Sequence, residues 1–329
     1  MDPERKGEIT MKVIYVHANN LQEIKQSAPK TAMALGYFDG VHLGHQQVIN
    51  SAKQLADEKG IASAVMTFTP HPSVVLGRNV QHIDMITPLQ EKKKLIEEMG
   101  IDFLYIVHFD KQFAALLPQE FVDQYIIGLN VQHVVAGFDY TYGKLGKGTM
   151  EILPFHSRSK FTQTTIDKLT NGEEKISSTL IRENLANGDM HRVKELLGRY
   201  YEVSGTVTHG EKRGRQIGFP TANIALDDEY LLPRIGVYAV ELQLHGKWYA
   251  GVCNVGYKPT FHDNLEKPTI EVHLLSFDEQ IYDQHVTVKW HRMIRSEKKF
   301  SGIEELVGQI SKDKEEALAY FEGIQKHKK

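Results

Sequence analysis

Short apolar runs alternate with amphipathic stretches through the first half of the chain. Lys12–Val16 and residues 31–38, 61–68, 101–109 and 131–136 are brief apolar runs bounded by polar residues and glycines, and they read as strands. Between them, Val48, Ile49, Ala52, Leu55 and Ala56 recur at helical spacing until Gly60 stops the helix. Residues 88–99 form a second predicted helix, begun by a cap-like Thr87 and ended by Gly100, and 118–127 a third. Strands separated by helical stretches of about a dozen residues require right-handed crossovers, so this half is expected to be a doubly wound α/β domain around a parallel sheet. Ligands of such sheets bind outside the carboxyl ends of the strands.

Beyond residue 200 the period changes from 3.6 to 2. Residues 202–209, Gly236–Leu244, 248–255, 269–277 and 285–291 are β-rich runs separated by turns, which predicts a small antiparallel β-barrel. The stretch 181–198, with Leu185, Val193, Leu196 and Leu197 as its apolar positions, is expected to be helical and to join the two halves. A terminal helix at 303–325 would bury Leu306, Ile310, Ala317 and Tyr320. The expected domains are 11–186 and 187–329. Residues 1–10 are polar and charged and precede Met11-Lys12, a natural-looking start, so they are expected to be an extension or tag outside the fold.

Composition changes this picture little. A chain of 329 residues suits two domains, and 41% hydrophobic with 25% charged residues is the balance of a globular protein. With 39 basic and 42 acidic side chains the net charge is −3, which gives no reason to expect a nucleic-acid partner. Cys253 is the single cysteine, so no intrachain disulfide can form, which fits a reducing cytosol. No apolar run approaches the roughly 18 residues of a membrane span and no signal-peptide core is visible, so a cytoplasmic protein without a membrane partner is expected. Oligomeric state is left open.

Candidate chemistry begins with Gly36-Tyr37-Phe38-Asp39-Gly40-Val41-His42-Leu43-Gly44-His45, where an apolar strand ends and an amphipathic helix begins. Glycines permit a sharp turn and close approach of a ligand, while the unpaired N–H groups and dipole of the new helix favour an anion there. His42 and His45 lie three residues apart, a rise of roughly 4.5 Å on one helix face, so both imidazoles could meet one set of phosphate oxygens. Two solvent-facing histidines on a glycine-rich turn remain an alternative. A closed zinc site does not, because Asp39 is the only close carboxylate and no cysteine is near.

Further strand-end loops carry polar groups. Thr67-Phe68-Thr69-Pro70-His71-Pro72 sets a histidine between two prolines, and Gly137-Phe138-Asp139-Tyr140-Thr141-Tyr142-Gly143 puts aromatics beside an aspartate. Either could be an ordinary turn, and the aromatics beside Asp139 could equally pack a flat ring and bind a phosphate or its metal. Lys175-Ile176-Ser177-Ser178-Thr179-Leu180-Ile181-Arg182 contains an ordinary helix-cap cluster that could equally hold phosphate. In the second half, Gly214-Arg215-Gln216-Ile217-Gly218-Phe219-Pro220-Thr221-Ala222-Asn223 is either a rigid loop entering a strand or a ligand loop; no Gly-Lys-Ser/Thr follows, so it is not a Walker loop.

Taken together these strings resemble bacterial bifunctional riboflavin kinase/FAD synthetase. Gly-x-Phe-Asp-Gly-x-His-x-Gly-His and Ile-Ser-Ser-Thr-x-x-Arg are similar to the nucleotidylyltransferase motifs, and Thr-x-Pro-His-Pro and Gly-x-Asp-Tyr-x-Tyr-Gly to the flavin-side loops. The Gly214–Asn223 string resembles the riboflavin kinase signature, supported by Gly236-Val-Tyr238, the run from Gly251 through Asn254, Gly256, Pro259, Thr260 and Phe261, and the run Glu271 to Asp278. The resemblance covers nearly the whole chain from Met11.

It implies a Rossmann-like nucleotidylyltransferase domain followed by a kinase barrel. Gly40, His42, Gly44, His45, Ser177, Ser178, Thr179 and Arg182 would hold the phosphates of one ATP, with His71 and Asp139 facing the flavin phosphate or its metal. Gly214, Gly218, Thr221 and Asn223 would hold a second ATP, with Thr221 and Asn223 also ligating Mg²⁺, Glu271 as catalytic base and Arg295 reaching the flavin. Implied partners are riboflavin, FMN, FAD and ATP. Two positions depart from the family pattern: Asp283 stands where Gly is usual, and Ser296 where Asp is frequent.

The chemistry agrees with this division. A phosphate oxygen of FMN is already ionised near neutral pH, so adenylylation needs positioning and charge stabilisation rather than a base. The 5′-hydroxyl of riboflavin does need one. A regulator that keeps the folds without turnover would be expected to lose His42, His45 or Glu271, and all three are present. A tRNA synthetase-like reading lacks a basic face and an anticodon-binding region.

Overall fold

A computed structural model describes residues 10–77, 83–210, 213–257 and 268–327. The expected extension before residue 10 and the Pro259, Thr260 and Phe261 positions lie outside the described residues. The chain divides into two compact units, Met1–Ser177 and Ser178–Lys329.

In the first unit, β1 (Lys12–Val16), β2 (Thr31–Leu35), β3 (Ala62–Thr69), β4 (Phe103–His108), β5 (Val131–Gly137) and β6 (Thr162–Ile166) form one sheet in the order β1-β4-β3-β2-β5-β6. Every pairing is parallel. Both faces are covered. Met33, Leu35, Met66 and Tyr105 enter one core, while Ala34, Val65 and Leu104 enter another with Val48, Ile49 and Ala52 of α1 (Leu43–Lys59). Strands buried on both sides read as continuous apolar runs, which is why β2 to β5 were visible in the sequence. β6, Thr-Gln-Thr-Thr-Ile, was not anticipated: it is a half-exposed edge strand with no apolar pattern.

Two helical expectations change. The helix at 88–99 is α2 (Leu89–Glu98), but Thr87 does not cap it; Pro88 holds the cap position, and the Thr87 N–H donates instead to the Asp39 carboxylate at 3.0 Å. The segment 118–127 starts as an α-helical turn, Pro118–Phe121, and widens into a π-helix, Val122–Ile127, that buries Val122, Tyr125 and Ile126.

In the second unit the expected single helix at 181–198 is two, α3 (Ser178–Asn187) and α4 (Met190–Leu197). They break at Gly188, whose φ is +77° and where a Cβ would lie 2.6 Å from the Met293 sulfur. The two units divide at Ser177/Ser178, ahead of α3, where 186/187 was expected. The Leu185 carbonyl accepts the Arg234 N–H at 2.9 Å, tying the end of α3 to the barrel unit.

The barrel is closed and antiparallel. β7 (Tyr201–Thr208), β8 (Ala222–Leu226), β9 (Gly236–Leu244), β10 (Lys247–Gly256), β11 (Thr269–Leu274) and β12 (His285–Ser296) follow the order β7-β8-β11-β10-β9-β12, and β7 pairs with β12 to close it. Closure leaves no free sheet edge. The terminal helix α5 (Ile303–His327) buries Ala317 and Phe321 against Val237, Ala239 and Val252. Of the positions expected on its buried side, Leu306, Ile310 and Tyr320 are only half-buried, and Asp313, 3% exposed, takes a place there. A buried carboxylate is invisible to hydrophobic periodicity; this one is paired with Arg295.

Candidate active sites

The chain moves from β2 through β3 to β4 on one side, and then to β5 and β6 on the other. That reversal opens a crevice at the carboxyl ends of β2 and β5. The loop after β2 turns there with Phe38 (φ +57°), Gly40 (φ +87°) and Val41 (φ +40°) in left-handed backbone. For the two residues with side chains this costs about 1–2 kcal/mol each. Burial holds them: Phe38 is 2% exposed and Val41 1%.

His42 is the N-cap of α1, and its Nδ1 accepts the backbone N–H of His45 at 3.2 Å. The two imidazoles stack at 3.6 Å and 17°, and His45 sets its ring edge-on to Phe38 at 5.3 Å. A neutral His42 thus carries its proton on Nε2. His45 Nδ1 is buried without a hydrogen-bond partner among the described residues. Burial, then the positive charges of His42, Lys92 and Lys175, hold the His45 pKa well below the usual histidine value, so it is neutral at pH 7.

Beneath the turn lies a residue that the sequence reading missed. Lys92, 2% exposed, donates to the Tyr37 carbonyl at 2.7 Å and lies 4.2 Å from the centre of the Tyr37 ring. Burial lowers its pKa to about 8 against the raising effect of Asp39. In the sequence it sits in a Lys-Lys-Lys run that reads as a solvated face. Its spacing from Leu89 and Ile96, three residues after one and four before the other, was the available signal.

The neighbouring loops converge on the same edge of the sheet. His71 accepts the Ser73 N–H at 3.1 Å and packs edge-on to Tyr37 at 4.5 Å. Asp139 is paired with Lys175, whose ammonium also lies 4.7 Å from the Phe138 ring. A Cβ built on Gly44 would be 3.8 Å from the Ile176 carbonyl oxygen, so the approach to Ser177 passes beside the histidine turn. Ser177 is the last residue of this unit; Ser178, Thr179 and Arg182 stand in the first turns of α3 in the other.

In the barrel unit a cavity of about 430 Å³ is lined by Gly210, Arg215, Thr221, Asn223, Phe277 and Tyr282, among others. Gly214 and Gly218 shape its loop without lining it. A Cβ on Gly214 would meet the Phe219 carbonyl oxygen at 2.3 Å and the Thr221 hydroxyl at 3.6 Å, and Gly218 has a φ of +87°. Val272 and Leu274 form part of the wall, so Glu271, one residue before Val272 on β11, has its side chain on the other face of the strand. There it is directly opposite Asn223 on β8 and Asn254 on β10. Asn223 therefore belongs both to the cavity and to the row that contains Glu271. Arg295 lies elsewhere: its guanidinium donates to Asp313 through Nε at 2.9 Å and a terminal nitrogen at 2.8 Å, and to the Ser296 carbonyl at 3.1 Å.

Comparison with known proteins matches these two halves separately. Residues 24–180 match the family model for FAD synthetase, and residues 197–321 that for riboflavin kinase. A bifunctional riboflavin kinase/FMN adenylyltransferase of Bacillus subtilis (strain 168) is 54% identical over 318 residues, 96% of this chain and 100% of the relative. The chain belongs to the bifunctional riboflavin kinase/FMN adenylyltransferase family. The family's proteins from Listeria monocytogenes and Escherichia coli (strain K12) are 46% and 33% identical, covering 94% and 92% of this chain and 98% and 96% of their own lengths.

A crystal structure of a Streptococcus pneumoniae protein, described as a macrolide-efflux protein, superposes with a TM-score of 0.83 at 33% identity, over 93% of this chain and 98% of that one. Among the described residues here, no helix is long and apolar enough to cross a membrane. The two family models leave most of α3 and most of α4 between them. The departure at Asp283 has a backbone reason: its φ is +62°, a conformation natural to Gly and tolerated by Asp.

Proposed function

We propose that the barrel unit phosphorylates riboflavin with ATP to give FMN, and that the sheet unit adenylylates FMN with a second ATP to give FAD and pyrophosphate. The observation that carries this is the presence in one chain of both constellations: a histidine-bearing strand-turn-helix loop at a sheet reversal, and a barrel cavity adjoining the row of Asn223 and Glu271.

For the kinase step, Thr221 and Asn223 hold the ATP phosphates. Glu271 accepts the proton of the riboflavin 5′-hydroxyl as its oxygen attacks the γ-phosphorus and ADP leaves. The donor set suits Mg²⁺: a hydroxyl and an amide oxygen are hard but uncharged ligands, adequate for a cation that keeps waters and arrives with ATP. Among the described residues no cluster of His, Cys, Asp or Glu could hold a metal unaided. Bound there, Mg²⁺ would neutralise charge on the transferring phosphoryl group. Arg295, engaged by Asp313, is assigned to holding α5 on the barrel.

For the second step, loop N–H groups between Gly40 and Gly44, the side chains of His42 and His45, and Ser177 hold the ATP phosphates. His71 and Asp139 face the FMN phosphate or its metal. An FMN phosphate oxygen attacks the α-phosphorus and pyrophosphate leaves. The ATP requirement and the single Cys253, a buried thiol whose pKa burial raises well above its usual value, support a cytoplasmic location.

Incubation with riboflavin, ATP and Mg²⁺, followed by chromatography, should yield FMN first and FAD after it. Failure to form either product overturns the corresponding half of the reading. The division of labour also predicts that a fragment from Ser178 to the C-terminus folds alone and makes FMN but no FAD. One starting at Asn187 loses Ile181 and Leu185, both fully buried, at about 1.5–3 kcal/mol each, and should unfold at lower temperature. An unfolded Ser178 fragment, or equal melting of the two, contradicts the placement of α3 with the kinase.

A further inference from the structure

Three hydrogen bonds, from α2, from the residue ahead of it and from β3, hold the start of the histidine turn at Tyr37 and Asp39. The Lys92 ammonium donates to the Tyr37 carbonyl at 2.7 Å, and the Thr67 hydroxyl donates to the same oxygen at 2.8 Å. Just ahead of α2, the Thr87 N–H donates to the Asp39 carboxylate at 3.0 Å. Between these anchors lies Phe38, the first of the left-handed residues. Lys92, Asp39 and Thr87 are all at most 5% exposed, so each polar contact is made away from water, where losing one partner leaves the other unsatisfied.

We propose that Lys92 is a positioning residue for adenylyl transfer: its ammonium holds the Tyr37 peptide so that the left-handed turn at Phe38, Gly40 and Val41 persists, and it supplies a fixed positive charge behind the phosphate loop. This rests on the assignment of that loop to adenylyl transfer. The charge matters because His45 is neutral at pH 7 and cannot supply it. The groups facing Lys92 are Tyr37 and Asp39 from the turn and His45 from the start of α1, and His45 also feels His42 and Lys175. On α2 itself Glu91 is turned to Lys94, and Lys93 to the Tyr15 hydroxyl. Asp39 is thus the one carboxylate facing the ammonium among these groups. It favours the protonated form against burial, and the balance sits at about pH 8. Adenylyl transfer that relies on this charge holds below that pH and declines above it.

The test is Lys92→Met, which keeps the length and apolar stem and removes the charge. FAD formation from supplied FMN should fall about tenfold or more, chiefly in kcat, while FMN formation by the same preparation is unchanged. Two readouts separate a charge from a strut. The decline of kcat above about pH 8 should vanish in the variant, and the His45 ring, followed by NMR, should titrate at higher pH once a neighbouring positive charge is gone. Unchanged FAD formation overturns the proposal, as does a loss in which the alkaline decline remains and His45 does not move. If the sheet unit of the variant does not fold, the wild type decides: a kcat for adenylylation flat through pH 8 overturns it. A wild-type protein that forms no FAD at all instead removes the assignment of the loop.

Discussion

Replacement of His42 and His45 together by alanine should lower FAD formation from FMN by about 10²–10³-fold or more, since removing even one preorganised donor to a developing charge commonly costs about that much. Two donors at one site are lost here, with their rings stacked at 3.6 Å. His42 also caps α1, but the cap contributes only about 1 kcal/mol, and the backbone bond from the Gln46 N–H to the His42 carbonyl remains at 2.9 Å. Unfolding therefore does not account for the loss. FMN formation, which belongs to the other unit, is the internal control. The measurement is FAD formation from supplied FMN beside FMN formation from riboflavin. Equal loss of both in a folded protein would contradict the separation of the two chemistries.

Glu271→Gln should give the second large effect, confined to the other reaction. Glutamine keeps the size of the side chain and its place between Asn223 and Asn254, but cannot accept a full proton. Phosphoryl transfer to riboflavin should slow by at least roughly 10²-fold with little change in riboflavin affinity, and adenylylation of supplied FMN should continue. Single-turnover FMN formation, with affinity measured separately, decides between roles. Near-wild-type transfer removes Glu271 from the mechanism, and a loss explained wholly by weaker binding makes it a substrate ligand. The placement of its side chain on the face of β11 opposite Val272 and Leu274 sharpens this test, because the adjoining cavity is bounded by those two residues and Asn223 rather than by Glu271.

The alternation that predicted a parallel sheet and then an antiparallel barrel was legible because burial imposes a period on apolar residues. β2 to β5 are buried on both faces and β7 and β11 on alternating positions, and each leaves its mark in sequence. The glycine loops were legible too, since Gly214 and Gly218 stand where a Cβ would collide or where φ is positive. Elements without an apolar signature escaped: β6 is a polar edge strand, and the break between α3 and α4 depends on the close approach of Gly188 to Met293.

The buried charges escaped for a different reason. Lys92 read as an ordinary surface cation and the resemblance sent Arg295 to the flavin, because a sequence carries no record of which distant carbonyl or carboxylate will meet them. Only the packing of α2 under the histidine turn brings Lys92 to the Tyr37 carbonyl and Asp39, and only the seating of α5 on the barrel brings Asp313 to Arg295. The same holds for His42 and His45. Their spacing placed both at the start of a helix, but whether they would reach outward as two cations or lie stacked, one of them neutral, depended on how deeply the turn was buried and on the charges around it. Local periodicity and turn chemistry act over a few residues and can be read along the chain; desolvation and long-range pairing exist only once distant segments have met.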